Sequence, residues 1–218
     1  MTALGFTASA AHTMLEIAQR EPDLLQETAL WWILNHMHLR WADTDLAAKV
    51  KAAGIYDPDK VTVVSSIVPP PDPAQALSLP EVLAHSDDAT RGSDKIAACR
   101  LCHVAGDSGT DYAPNLNGWV SRQGVEQAIY AIIDPNRDIA HGYDGRDVEL
   151  HDGTHIHGLM LAQGDPTVVK SMGGLTQMIP ADRVKGVHWY GRSLMLSADQ
   201  LGLSAQDVAD IVSYLKEH

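Results

Sequence analysis

Hydrophobic positions recur at helical spacing over the first third of the chain. Leu15, Ile17 and Ala18 mark a short amphipathic stretch, and a second helix is predicted to open at Glu21-Pro22-Asp23, with Pro22 in its first turn. It runs through Leu24, Glu27, Leu30, Trp31, Leu34 and His38, spaced three and four apart, with Trp32 and Met37 widening the stripe. A third helix is predicted from Asp43 to Ala53, stopped by Gly54. Trp31, Trp32 and Trp41 read as core. His36 and His38, two apart on a helix, fall on different faces and read as packing or surface histidines, not as one metal site.

The run Pro69-Pro70-Pro71-Asp72-Pro73 interrupts this pattern, because consecutive prolines favour an extended polyproline segment. Three regions follow: a helical segment over 1–68, a proline-rich linker over 69–80, and a second domain over 81–218. Helix returns before the cysteines, with Ser93 or Asp94 as its cap. Val125, Ala128, Ile129, Ile132 and Ile133 form another helix, which must end before Pro135. From about 146 to 186 the period falls to two, and Asp152-Gly153 and Gly173-Gly174 signal hairpin turns, so a small antiparallel meander is predicted. The last helix is capped by Ser204, with Asp207 near its positive end and Val208, Ile211, Val212 and Leu215 on its buried face.

Composition narrows the partners. The 218 residues are 45% hydrophobic and 20% charged, as in a globular protein, and carry a formal charge of −12. That charge leaves no basic stripe for a phosphate backbone, so nucleic acid is not an expected partner and a basic protein is. No apolar run is long enough to span a bilayer, and the first residues lack the basic and apolar regions of a secretory signal.

Both cysteines lie in Cys99-Arg100-Leu101-Cys102-His103. Covalent haem attachment needs two thiols about one helical turn apart and an adjacent imidazole for the iron, and this pentapeptide supplies all three. A redox dithiol would open a helix inside a βαβ pattern, which is missing, and a zinc site would need a further ligand pair. Pro114-Asn115-Leu116 follows, placing a carbonyl where it can accept from Nδ1–H of His103 and fix the ring. The second axial ligand must come from farther along the chain: Met160, Met172, Met178, Met195, His141 and His188 are the candidates. Met195, in a loop with small and polar neighbours, is preferred, and Met160, Met172 and Met178 read as core filler.

Together these features resemble a class I c-type cytochrome. Residues from about 81 to 218 resemble more narrowly the haem-binding domain at the C-terminus of large multidomain proteins of planctomycetes and verrucomicrobia, where it follows HEAT-like repeats and a propeller dehydrogenase. The matching pieces are "RGSDKIAACRLCH", "APNLNG", "AIIDPNRDIAHGYDGRDVELHDGTHIHGLML", "IPADRV" and "RSLM"; Leu196 stands where the family commonly has proline after the methionine.

The resemblance implies a mainly α cytochrome c fold with a β-meander insertion, preceded by a HEAT-like helical segment. It implies one haem c, with iron held by His103 and Met195, and electron transfer from a dehydrogenase module to a further redox protein. It also places Trp119 and Arg122 near the haem propionates. With both axial positions filled, a carrier is expected and not an enzyme; a haem sensor or haem enzyme with a labile sixth ligand is the alternative, and a haem-free interaction domain is the third reading. Haem attachment implies a periplasmic or otherwise extracytoplasmic location, so a native leader or a larger N-terminal part is expected ahead of Met1.

Other patterns carry less. His155 and His157 share a strand face near His151; a surface metal site is one reading, but with no nearby carboxylate anchor evident they read as a polar face. Gly142, Gly173 and Gly174 read as turn residues, and no nucleophile elbow or His-Glu-x-x-His pair supports a hydrolase.

Overall fold

The computed structural model describes residues 5–66 and 76–218. The proline run 69–73 lies outside the described residues.

Three helices open the chain: α1 (Ala8–Ala18), α2 (Leu24–His36) and α3 (Leu46–Ala52). Asp23, not Pro22, begins α2: its carboxylate accepts from the Gln26 N–H at 2.6 Å and caps the helix. The helix ends before His38, which is exposed. Ala29, Ile33, Leu34 and Met37 form the buried stripe, so Leu24 at the predicted start of that stripe is solvent-facing. Trp41 is buried with them, whereas Trp31 and Trp32 are half-buried at the rim.

Downstream, α4 (Leu79–Leu83) and α5 (Ala89–Lys95) replace the single helix predicted before the cysteines. Neither Ser93 nor Asp94 is the cap. Asp88 takes that place, accepting from the Thr90 and Arg91 N–H groups at 2.8 and 3.0 Å. Two short helices, α6 (Trp119–Gln123) and α7 (Val125–Ile133), follow the motif, and α8 (Ala205–Glu217) closes the chain. Ser204 and Asp207 form a reciprocal capping box on α8. Ile96, Val120, Ile129, Ile133, Val208, Ile211 and Val212 make the core among these helices.

Asp210 ties α5 to α8 from a nearly enclosed position, accepting from Arg91 Nε and Nη2 at 2.7 Å each. One turn earlier, Lys95 Nζ sits 2.9 Å from Asp207, and with the Ser204 groups it holds that carboxyl down at about 2. A depressed carboxylate stabilises the fold fully above its unfolded value, about 3.9, and the contribution disappears as pH falls through the folded value. Asp207→Asn is therefore expected to flatten the loss of stability between about pH 4 and about pH 2, measured as denaturation midpoints against pH; an unchanged slope would contradict this.

The largest departure from the sequence reading is the sheet. Strands β3 (Gly145–Leu150), β4 (His155–Gln163), β5 (Thr167–Ser171), β6 (Thr176–Ile179) and β7 (Val184–Trp189) form one antiparallel sheet in the order β6-β5-β4-β3-β7; β1 (Val104–Ala105) and β2 (Ser108–Gly109) form a separate small hairpin. About 39% of the structure is helical and 17% is strand. The fold is thus mixed α and β, and the expectation of a mainly α cytochrome fold with a minor insertion is wrong.

The physical reason is that the sheet is a structural layer with three contacts. Val148, Ile156, Val169 and Ile179 form a core on one face, with Val63 packed against it. Beyond a bulge in β4, Ala162 and Val168 join the core of α1 to α3. Leu159, on the opposite face, packs with Tyr112 and Leu194 beside the cysteine motif.

Candidate functional site

The cysteine motif sits where helix α5 tightens. Arg100 N–H bonds the Ile96 carbonyl at 3.1 Å, and the N–H groups of Cys102 and His103 both bond the Cys99 carbonyl, at 3.1 and 2.9 Å. Cys99–Leu101 is consequently a turn of 3₁₀ helix with Cys102 as its C-cap; Cys99 packs on the helical core and Cys102 on the Tyr112–Leu159–Leu194 cluster.

The segment that follows wraps back over this turn. Tyr112 and Ala113 N–H groups bond the Cys102 carbonyl at 3.2 and 2.8 Å, and Leu116 N–H bonds the Val104 carbonyl at 2.9 Å. The Asn117 side chain bonds both backbone groups of Gly106, at 2.7 and 2.9 Å. Gly109 permits the closest crossing: a Cβ there would lie 2.0 Å from the His103 carbonyl oxygen.

His103 is buried, and its Nδ1 lies 2.7 Å from the Pro114 carbonyl oxygen. Nδ1–H donates to that oxygen, which fixes the ring and leaves Nε2 as the basic nitrogen. Burial pushes the imidazole below its ordinary range, with the Pro114 bond opposing, so the neutral, ligating form is favoured.

Burial also pushes the Cys99 thiol up to about 11 and raises that of Cys102. Burial therefore favours the protonated thiols over the thiolates. The two sulfurs are unbridged.

Cys99, Leu116, Trp119 and Met195 all pack on the helical core cluster. Met195 is presented by a loop tied at two points: Ser193 N–H bonds Asn136 Oδ1 at 2.8 Å, and Ala198 N–H bonds the Ile132 carbonyl at 2.8 Å. Arg122 is exposed on the last turn of α6. His141 and His188 are exposed, while Met160 and Met178 pack on clusters away from the motif.

Two residues gain importance that the sequence did not assign. Met172, read as core filler, packs on the Tyr112–Leu159–Leu194 cluster together with Cys102. The Tyr112 hydroxyl is enclosed there without a hydrogen-bond partner among the described residues, and burial next to the Cys102 thiol raises its pKa. A tyrosine immediately before Ala113-Pro114-Asn115 was the available signal.

These residues fit a haem attached through the motif. Both cysteines belong to one 3₁₀ turn and its cap, the imidazole is oriented with one nitrogen free, methionine thioethers pack on the clusters that hold the two cysteines, and the Tyr112 hydroxyl is a buried polar group beside Cys102.

The histidine face differs from its sequence reading. His157 is buried, not exposed, and Asp147 of β3 supplies a carboxylate beside it and beside His155. Burial lowers the His157 pKa and Asp147 opposes that shift. His151 lies at the hairpin turn, outside this group.

Compared with known proteins, the chain matches no family model and no curated protein. The likeness to c-type cytochromes rests on the motifs in the sequence itself.

Proposed function

We propose that this chain is an electron-transfer protein carrying one covalent haem c. The observation that carries the reading is the Cys99-x-x-Cys102-His103 turn, with His103 Nδ1 bonded to the Pro114 carbonyl. Cys99 and Cys102 would hold the haem by thioether bonds, and His103 Nε2 would ligate its iron. When bound, the haem supplies reversible one-electron ferric/ferrous chemistry.

The chain's own residues set the conditions for that chemistry. Pro114 orients the proximal imidazole and raises its basicity as a ligand. The core formed by Val120, Ile129, Ile133 and Val208 keeps the helical side of the site dry. Met195 would supply the second side-chain ligand to the iron, because its loop is pinned to Ile132 of α7 and to Asn136 just beyond it, and it shares a cluster with Cys99. Held by His103 and a methionine, the iron would have a raised reduction potential and would serve electron transfer, which favours a carrier over an enzyme or sensor.

None of this requires a mainly α fold. What the chemistry needs is the turn, the oriented imidazole and a thioether, on a rigid scaffold. We further propose an extracytoplasmic location, where such attachment takes place, a dehydrogenase module as donor and another redox protein as acceptor. The net charge of −12 favours a partner with a basic docking face. No helix among the described residues is long and apolar enough to cross a membrane.

Met172, beside Cys102, supports one competing assignment of the sixth ligand. Spectra of the haem-loaded protein separate the two. Met195→Ala is expected to abolish the ferric sulfur-to-iron charge-transfer band, and Met172→Ala to leave it in place. The reverse pattern would move the ligand to Met172, and a wild-type protein without the band would favour the open or labile site of a sensor or enzyme.

A further inference from the structure

The register of the β3–β4 hairpin assembles a second site. Glu149 stands opposite His155 and Asp147 opposite His157, so two carboxylates and two imidazoles share one face of the sheet. Asp147 Oδ1 lies 2.9 Å from His155 Nδ1 and 3.3 Å from His157 Nε2. One ligand atom from each of Asp147, His155 and His157 falls within 4.8 Å of the others.

A tetrahedral ion with bonds of about 2.0–2.1 Å keeps its ligand atoms about 3.3 Å apart, so small side-chain rotations let these three close on one ion. We propose that Asp147, His155 and His157 form a binding site for a divalent transition-metal ion of the zinc class, with a further coordination position open to solvent or a small ligand.

Three features favour that occupant over a plain ion pair. Two imidazoles and one carboxylate suit zinc, copper(II) or nickel better than calcium or magnesium, which prefer all-oxygen sites. The scaffold is stiff, because β3 is paired on both edges, to β4 and to β7. His157 is only 9% exposed, with the Tyr190 ring 4.8 Å away, so its imidazole is held in place on the sheet. Its Nε2 has a single 3.3 Å contact, to Asp147 Oδ1, and is the nitrogen that faces the other two ligand atoms.

Neighbouring groups define the limits of the site. Glu149 is engaged by Lys185 Nζ at 2.5 Å and is not needed as a ligand. His188, opposite Asp147 on β7, is exposed and lies 3.9 Å from Glu149 Oε2. His155 is exposed, which gives the ion a way in. Leu159, two residues beyond His157 on the same face, packs with Tyr112 and Leu194, so the site shares a sheet face with the cysteine motif.

Calorimetric titration of the untagged 218-residue chain with Zn²⁺ tests this, with and without the cysteines of the motif, which could themselves take zinc. One ion per chain is expected to bind in the Cys99→Ala, Cys102→Ala background. His155→Asn, an exposed change that leaves the core intact, and Asp147→Asn are each expected to weaken it by more than about tenfold. Absence of binding in the cysteine-free background, or binding unaffected by His155→Asn, overturns the proposal. Neither result bears on haem attachment, so the two readings fail independently.

Discussion

Gly92→Ala is expected to destabilise the protein by on the order of 3 kcal/mol, the upper range for forcing extra volume into a packed core. Helix propensity alone gives the opposite sign, since alanine is better than glycine within a helix by about 1 kcal/mol. Packing wins because α5 crosses α8 at this residue: a Cβ would lie 2.0 Å from the Asp210 carbonyl oxygen, 2.7 Å from its carbon and 2.8 Å from Tyr214 Cβ. The obstacle is mainly backbone, so the helices must move apart. Separation would pull Arg91 from Asp210 and shift the turn that begins at Cys99. Chemical denaturation of the full chain is the check, and a stability within about 0.5 kcal/mol of the parent would show that the crossing is not close.

Replacing both cysteines, Cys99→Ala with Cys102→Ala, is expected to eliminate covalent haem from protein matured with a haem-attachment system. The expected product has the mass of the bare polypeptide. Its fold should persist, because both cysteines are only partly buried and each packs at the margin of a core whose large members lie elsewhere. A double variant that still carries the mass of one haem would contradict attachment through this motif.

Helices with a strong apolar period were legible in the sequence. Val125 to Ile133 and the Ser204-capped terminal helix lie where their spacing places them, because each buries a full stripe and has a local stop or cap. The break between α4 and α5 was hidden. Asp88 sits in the polar run Ser86-Asp87-Asp88, and helices of five and seven residues are too short to declare a period.

The sheet was legible as hairpins but not as a layer. Alternation marks strands, yet nothing local tells β7 to return and pair with β3, or Val168 to join the N-terminal helical core. Burial on both faces also erased the alternation in β4, where Ile156 to Leu159 are all buried. These long-range contacts turned the expected mainly α domain into a mixed one.

Around the cysteine motif, the His103–Pro114 hydrogen bond was legible locally, because both residues lie within one short segment. The positions of Met172 and Tyr112 relative to Cys102 required the tertiary fold. Asp147 lay between these extremes. Counting back across the Asp152-Gly153 turn pairs Glu149 with His155 and Asp147 with His157, so the carboxylate beside the histidines was recoverable from hairpin register.

The central claim is that Cys99, Cys102 and His103 hold one haem covalently. Its most direct test is the intact mass of the full chain, recovered from cells able to attach haem outside the cytoplasm. The expected result is the polypeptide mass plus one haem, retained under denaturing conditions. A mass equal to the polypeptide alone, from a folded protein, would contradict the account.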